Sequence, residues 1–257
     1  MEIEPLTPTI GAVIHGIDLS HQMDDATVDT LKTAWARHCV LFFHNQTLDT
    51  NSLRVLGQRL GRLFHHPSGW AEEIEAGIIK VHTEASSTHK PGAQWHSDLS
   101  CTQTPPHASL LYLHESPELG GDTLFVNTAD AYAKLSKTMR GWLEGLTAEH
   151  GWRYAEDKHA EVKAAHPLVI THPVTRAKAL FVNEVYTRSV FELHASESES
   201  LLEFLYQHIR DVRFQCRFRW RKNSVAWWDN RVTQHLALWD YHPQTRSGLR
   251  LTLGAVS

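Results

Sequence analysis

The chain is poor in cysteine: Cys39, Cys101 and Cys216 are the only three among 257 residues, far apart and without a C-x-x-C pair. That excludes a disulfide framework and a thiolate zinc site, and leaves three reduced, buried, small hydrophobes. No segment approaches the run of about 18 apolar residues that a membrane span requires. The N-terminal stretch MEIEPLTPTIGAVIHGIDLS lacks the basic start and unbroken apolar core of a secretory signal. Blocks of like charge are missing too: 25 basic residues against 29 acidic give a formal charge of −4. Nothing here attracts nucleic acid or an anionic membrane, so neither is expected as a partner. There is no internal repeat, no low-complexity tract and no Gly-, Pro- or Ser-rich linker to mark a boundary. The expectation is a cytoplasmic chain forming one domain over 1–257, and with 42% hydrophobic residues it can bury a large core.

What is present has a clear texture. Val28, Leu31 and Trp35 stand at helical spacing after Asp25, and Leu53, Leu56 and Leu60 stripe a second helix over Thr50 to Leu60, with Asp49 and Thr50 as cap candidates. Short strand-like runs surround and follow them: CVLFFH, GIIKVH, ASLLYLH, DTLFVN, HPLVITH, KALFVN, RFQCRFRW, SVAWWD and RLTLGAV, separated by turn formers such as ELGGD and WDNR. Helices interrupt around 128–146 and from about Glu197 to Val212, where Leu201, Leu205, Ile209 and Val212 form a stripe. Many short strands with a few covering helices predict a mainly β, α+β fold: a double-stranded β-helix, or jelly roll, with helices packed outside.

Nineteen histidines make metal sites easy to imagine, and most must be ordinary residues. The stretch QWHSDLSC is more specific, because His96 and Asp98 would share one face of a strand. Alone, such a pair is as well explained by a buried hydrogen bond. A third ligand would make it a site of two histidines and one carboxylate, which leaves three positions free in the manner of non-haem Fe(II) oxygenases. His235 follows the turn in WDNRVTQH, Arg246 lies eleven residues further on, and Arg250 four beyond that. In an extended strand both guanidinium groups take one face and Leu249, Leu251 and Leu253 the other, and two inward cations call for anions.

These motifs resemble the TauD/TfdA family of Fe(II)- and 2-oxoglutarate-dependent dioxygenases. The likeness runs over nearly the whole chain, carried by WHSD, GGDTLFVNTADAYAKLS, HPLVITHPVTRAKALFVN and WWDNRVTQHLALWDYHPQTRSGLR. The resemblance implies Fe(II) held by His96, Asp98 and His235, with 2-oxoglutarate as cosubstrate and O2 as oxidant. Arg246 then matches the arginine that pairs with the distal carboxylate of 2-oxoglutarate, and Thr123 the hydroxyl that bonds it. Arg250 matches the arginine that holds the substrate's anionic group in the taurine-oxidising member, and His66 in FHHPSG a substrate-contacting histidine, with His65 as its neighbouring alternative. Two positions depart: Gly69 and Gly92 stand where the taurine enzyme carries a tyrosine and an asparagine, which disfavours taurine and leaves room beside Arg250.

The implied reaction hydroxylates an aliphatic C–H of a small or medium organic anion, a carboxylate or sulfonate, and yields succinate and CO2. A hydroxyl placed on a carbon bearing a heteroatom lets the product collapse with C–O, C–N or C–S cleavage. The retained Asp98 disfavours halogenation, which needs that position vacated. Oligomeric state stays open, with a dimer or tetramer among the family's habits.

Other readings of the same residues stand beside this one. A zinc hydrolase explains His96, Asp98 and His235 but leaves Arg246 and Thr123 idle, and no H-E-x-x-H helix is present. A non-catalytic barrel binding an organic anion needs no ligand triad. Arg250 has the alternative of a structural ion pair. Trp95, Trp227 and Trp228 read as packing, Asp229 and Asn230 as turn residues, and Cys101 carries no assigned chemistry.

Overall fold

The runs VLFF, SVAWWD and ASLLYL are apolar at every position because both faces of their strands are covered. Leu41, Phe43, Leu110, Tyr112, Val225, Trp227, Leu251 and Leu253 join one core cluster, while the alternate residues Val40, Phe42, Leu111, Leu113, Ala226 and Trp228 join another. This period of two is the pleat of a single sheet. The structure, a computed structural model, describes residues 1–66, 73–75, 77–88, 92–153 and 161–254.

The large sheet runs in the order Glu2–Pro5, Ala12–His15, Val40–Phe43, Ser224–Asp229, Ala108–Glu115, Arg246–Gly254, Ile78–Thr83 and Glu73–Glu75, with Arg62–Leu63 added against Arg246–Gly254. All its pairs are antiparallel except Ala12–His15 with Val40–Phe43. A smaller sheet, Gln215–Phe218, Thr123–Asn127 and Thr233–Ala237, faces it. Phe42 of the large sheet stacks on Phe218 of the small one with centroids 4.0 Å apart, and Trp228 meets Phe125 at 5.7 Å. The two sheets make the expected double-stranded β-helix.

Helices Asp25–His38 and Thr50–Leu60 cover the outer face of the large sheet. Asp24 caps the first by accepting from Thr27 N at 2.8 Å, and Asp49 and Ser52 cap the second reciprocally. The second helix approaches so closely at Gly57 that a Cβ there would stand 2.2 Å from Leu251 Cδ2. The helix expected over 128–146 is two, Thr128–Lys134 and Lys137–Leu143, since Leu135 turns extended and Ser136 caps the second segment. The helix expected from Glu197 to Val212 spans Ala195–Ile209. Asp211 caps a separate 3-10 turn, Val212–Phe214, and Val212 is 81% exposed rather than part of the apolar stripe.

Candidate active site

His96 and His235 face each other across one antiparallel bridge: His96 N donates to His235 O at 3.2 Å, and His235 N to His96 O at 2.9 Å. Such a reciprocally bonded pair sets both side chains on the same side, and the two rings lie 4.2 Å apart. Asp98 reaches them differently from the expected strand geometry. His96 is an isolated bridge residue, Asp98 opens a turn, and Leu99 after it has a φ of 49°. The turn is anchored by its own polar residues: Ser97 Oγ donates to Thr233 O at 2.7 Å, while Ser100 Oγ meets His150 Nδ1 and Asn183 Nδ2, each at 2.9 Å.

The result is a buried convergence of three Lewis bases. Asp98 Oδ1 lies 3.5 Å from Nε2 of both His96 and His235, and the candidate ligand atoms all lie within 4.8 Å of one another. Gln94 O, 2.8 Å from His96 Nδ1, accepts a hydrogen bond from that nitrogen and leaves Nε2 facing inward. Burial favours the neutral imidazole at His235, with His96 adding to that effect, and its pKa lies well below the usual histidine value. Burial alone would raise the Asp98 carboxyl, but the Arg250 guanidinium, with His235 and His96, outweighs it and holds the group well below the carboxylate range. Two imidazoles and one carboxylate aimed at a common point are the donor set of a divalent ion, so the residues present fit Fe(II).

The two arginines share a face of Arg246–Gly254, as the spacing predicts, and Leu249, Leu251 and Leu253 pack on the other. Arg246 is buried, its guanidinium carbon 5.4 Å from the centre of the Trp220 ring. Trp220 Nε1 in turn donates to Thr123 Oγ at 2.9 Å, which leaves the threonine proton available to a ligand. Among the described residues, Arg246 Nε and Nη2 have no hydrogen-bond partner. Burial pushes the Arg246 pKa down to about 10. A buried cation with idle donors is suited to a bound carboxylate.

Arg250 lies against Asp98, donating from Nη2 to Oδ2, and over the Trp228 ring at 5.7 Å. Its Nε has no partner among the described residues. His66, not His65, points inward. Its ring is 2% exposed with Nε2 3.4 Å from Thr252 Oγ, while Glu73 accepts from its backbone N at 2.8 Å. Burial, then Arg250, lowers the His66 pKa. Gly92 carries a φ of +82°, and a Cβ there would stand 3.4 Å from His96 Cε1. Gly69 lies outside the described residues.

The pattern of the family described as "Taurine catabolism dioxygenase TauD, TfdA family" matches residues 2–252. The chain belongs to the TauD/TfdA family. Among its relatives, the alpha-ketoglutarate-dependent dioxygenase cnsP of Penicillium expansum is 37% identical over 96% of this chain and 73% of its own. The alpha-ketoglutarate-dependent sulfate ester dioxygenase of Pseudomonas putida is 31% identical over 98% of this chain and 89% of its own. The crystal structure of a taurine dioxygenase from Burkholderia xenovorans superposes with a TM-score of 0.87 at 33% identity, covering 99% of this chain and 91% of that one. This TauD/TfdA chain is therefore a 2-oxoglutarate-dependent oxygenase, of a family that uses Fe(II), 2-oxoglutarate and O2. Among the described residues, no helix is long and apolar enough to cross a membrane.

Two residues read from sequence as turn formers have larger roles in this TauD/TfdA site. Asp229 is fully buried, bonded to His172 Nε2 at 2.9 Å and to Arg231, and so ties the 172–177 turn to the end of Ser224–Asp229. Asn230 joins Trp228 to Ser109, which donates to Asp98. A buried Asp-Asn pair closing an apolar strand was the available signal.

Proposed function

We propose that this single-domain chain, over 1–257, hydroxylates an aliphatic C–H of a small or medium organic anion, with a sulfonate, sulfate ester or carboxylate head held at Arg250. The observation that carries the reading is the pairing of a buried His96, Asp98 and His235 cluster with a buried arginine, Arg246, whose Nε and Nη2 have no partner among the described residues. A hydrolase has no use for that second cation. Relatives named for sulfate esters and taurine support a sulfur oxyanion as the head group.

In this reading His96, Asp98 and His235 hold Fe(II), which when bound with 2-oxoglutarate supplies O2 activation, with succinate and CO2 as by-products. Arg246 grips the distal carboxylate of the keto acid through Nε and Nη2, which have no partner among the described residues, and Thr123 donates its free proton to the same group. Arg250 uses its idle Nε for the substrate anion while Nη2 stays on Asp98, and His66, neutral through burial, lines the same wall. The buried aromatics Trp220 and Trp228 exclude water around both cations. Because Arg250 touches a ligand carboxylate, the target C–H lies close to the anionic group. Hydroxylation beside a heteroatom then releases it by C–O, C–N or C–S cleavage.

An anaerobic titration with Fe(II) and 2-oxoglutarate tests the reading. A visible charge-transfer band should require both additions, shift with alkyl sulfonates, alkyl sulfates or carboxylates, and vanish in Asp98→Ala. Tightly bound zinc with no band would move the site to the hydrolase alternative.

A further inference from the structure

The side chains of Trp228, Asn230 and Ser109 form a directed hydrogen-bonded chain ending on Asp98. Trp228 Nε1 is 2.9 Å from Asn230 Oδ1, Asn230 Nδ2 is 3.1 Å from Ser109 Oγ, and Ser109 Oγ is 2.7 Å from Asp98 Oδ2. All four residues are buried, and Trp228 and Ser109 stand opposite each other in adjacent strands.

The direction of each bond follows from the donor inventory. An indole nitrogen only donates, so the Asn230 atom facing it is the carbonyl oxygen, and its amide nitrogen must face Ser109. The Asp98 backbone N–H approaches that same oxygen at 3.5 Å, which agrees with this orientation. With a lone pair of Ser109 occupied by Asn230, its one proton goes to Asp98 Oδ2. That oxygen also receives Arg250 Nη2, which leaves Oδ1 alone facing His96 and His235.

We propose that Ser109, oriented by Asn230 and Trp228, is a positioning residue that fixes Asp98 as a ligand through one oxygen only. The proposal rests on the reading of His96, Asp98 and His235 as the metal ligands. A carboxylate free to rotate would lose its aim at the ion, which weakens metal binding, and could turn its second oxygen into a position that the keto acid needs. Ser109 prevents this by keeping Oδ2 engaged. Arg250 Nη2 holds the same oxygen and lies 3.5 Å from Ser109 Oγ, so Ser109 adds to that ion pair a second, neutral donor fixed from behind by Asn230. Ser109 lies at the centre of the large sheet, so its hydroxyl holds its place whether or not substrate is bound.

The test is Mn(II) binding to the metal-free protein, read by the electron paramagnetic resonance of the free ion, so that no turnover is required. Ser109→Ala should bind Mn(II) about 10- to 100-fold more weakly, the usual effect of losing an outer partner of a metal ligand. Ser109→Thr, which keeps the hydroxyl, should restore most of the affinity. In the Mn(II)-loaded Ser109→Ala protein, 2-oxoglutarate should also bind more weakly than in wild type. Trp228→Phe keeps an aromatic ring of smaller size and removes the first donor, and should weaken Mn(II) in the same direction by a smaller factor. Melting curves of the metal-free variants report whether the fold is retained. Wild-type Mn(II) affinity in a folded Ser109→Ala protein, or equal weakness of the Ala and Thr variants, would overturn the proposal. Asp98→Ala separates the two levels: if it binds Mn(II) like wild type, the ligand assignment itself fails. If it loses Mn(II) while Ser109→Ala does not, only the positioning role fails.

Discussion

The guanidinium of Arg250 donates to Asp98 Oδ2, the oxygen turned away from His96 and His235. One arginine thus touches a candidate metal ligand with one nitrogen while another nitrogen, Nε, has no partner among the described residues. Arg250→Gln should raise the KM for an anionic substrate by about 30-fold or more, the cost of about 2 kcal/mol or above for a lost charged hydrogen bond in a buried setting. The KM for 2-oxoglutarate should move far less. Steady-state kinetics with each substrate varied in turn checks this, and an equal rise in both would show that Arg250 serves the site as a whole.

Arg246 gives a prediction of the opposite sign for stability and for binding. Its buried guanidinium carries a desolvation cost without a full set of partners, so Arg246→Met should melt at the same temperature as wild type or higher when no ligand is present. The same variant should lose about 100-fold in 2-oxoglutarate affinity, roughly 3 kcal/mol for a charge-assisted contact. Thermal melts with and without 2-oxoglutarate reveal both halves. A large fall in the ligand-free melting temperature would assign Arg246 a structural role.

His150 couples acid stability to the turn that carries Asp98. Burial lowers its pKa from 6.5 to about 3, with His166 adding to the effect. The unfolded chain protonates this group near its ordinary value while the folded chain does not. Its contribution is therefore complete above about pH 6.5 and lost as pH falls toward about 3, at up to about 1.4 kcal/mol per pH unit. His150→Gln should melt at a lower temperature at pH 7, yet lose less stability between pH 6 and 4.5 than wild type. Parallel pH profiles for the two proteins would rule this out.

Gly248 separates Arg246 from Arg250 at a shift in strand register. A Cβ there would stand 2.1 Å from Tyr112 O and 2.7 Å from Leu113 Cδ2, too close for either to yield without moving the strand. Gly248→Ala should cost about 1–3 kcal/mol in chemical denaturation, as overpacking does. It should also reduce activity in the protein that still folds, because the two arginines flank the displaced backbone.

Much of this was legible in the residues themselves. The apolar strands declared themselves through runs such as SVAWWD, and the spacing of Arg246 and Arg250 correctly put both cations opposite Leu249, Leu251 and Leu253. His96, Asp98 and His235 do converge, though by a bridge and a turn rather than a strand, because Ser97 and Ser100 bend the chain after His96. The break at Leu135 and Ser136 was concealed by apolar periodicity that continues through it. Ser109, inside ASLLYLH, gave no local sign of its partners, since Asp98 arrives from a distant turn and Asn230 from just beyond the strand that pairs with it. Asp229 and Asn230 looked like ordinary turn formers for the same reason. Local pattern reports which face a residue takes, and tertiary pairing decides what it meets there.

The helix over Thr50–Leu60 lies on the far side of the strand that bears both arginines, and it meets that strand at Gly57 with no room for a methyl group. The strand is therefore clamped like a rail, with its working edge on one side and its bedding on the other. Wear in the bedding would surface as misalignment at the working edge, so substitutions beneath Leu251 can spoil substrate choice from a layer that no substrate ever touches.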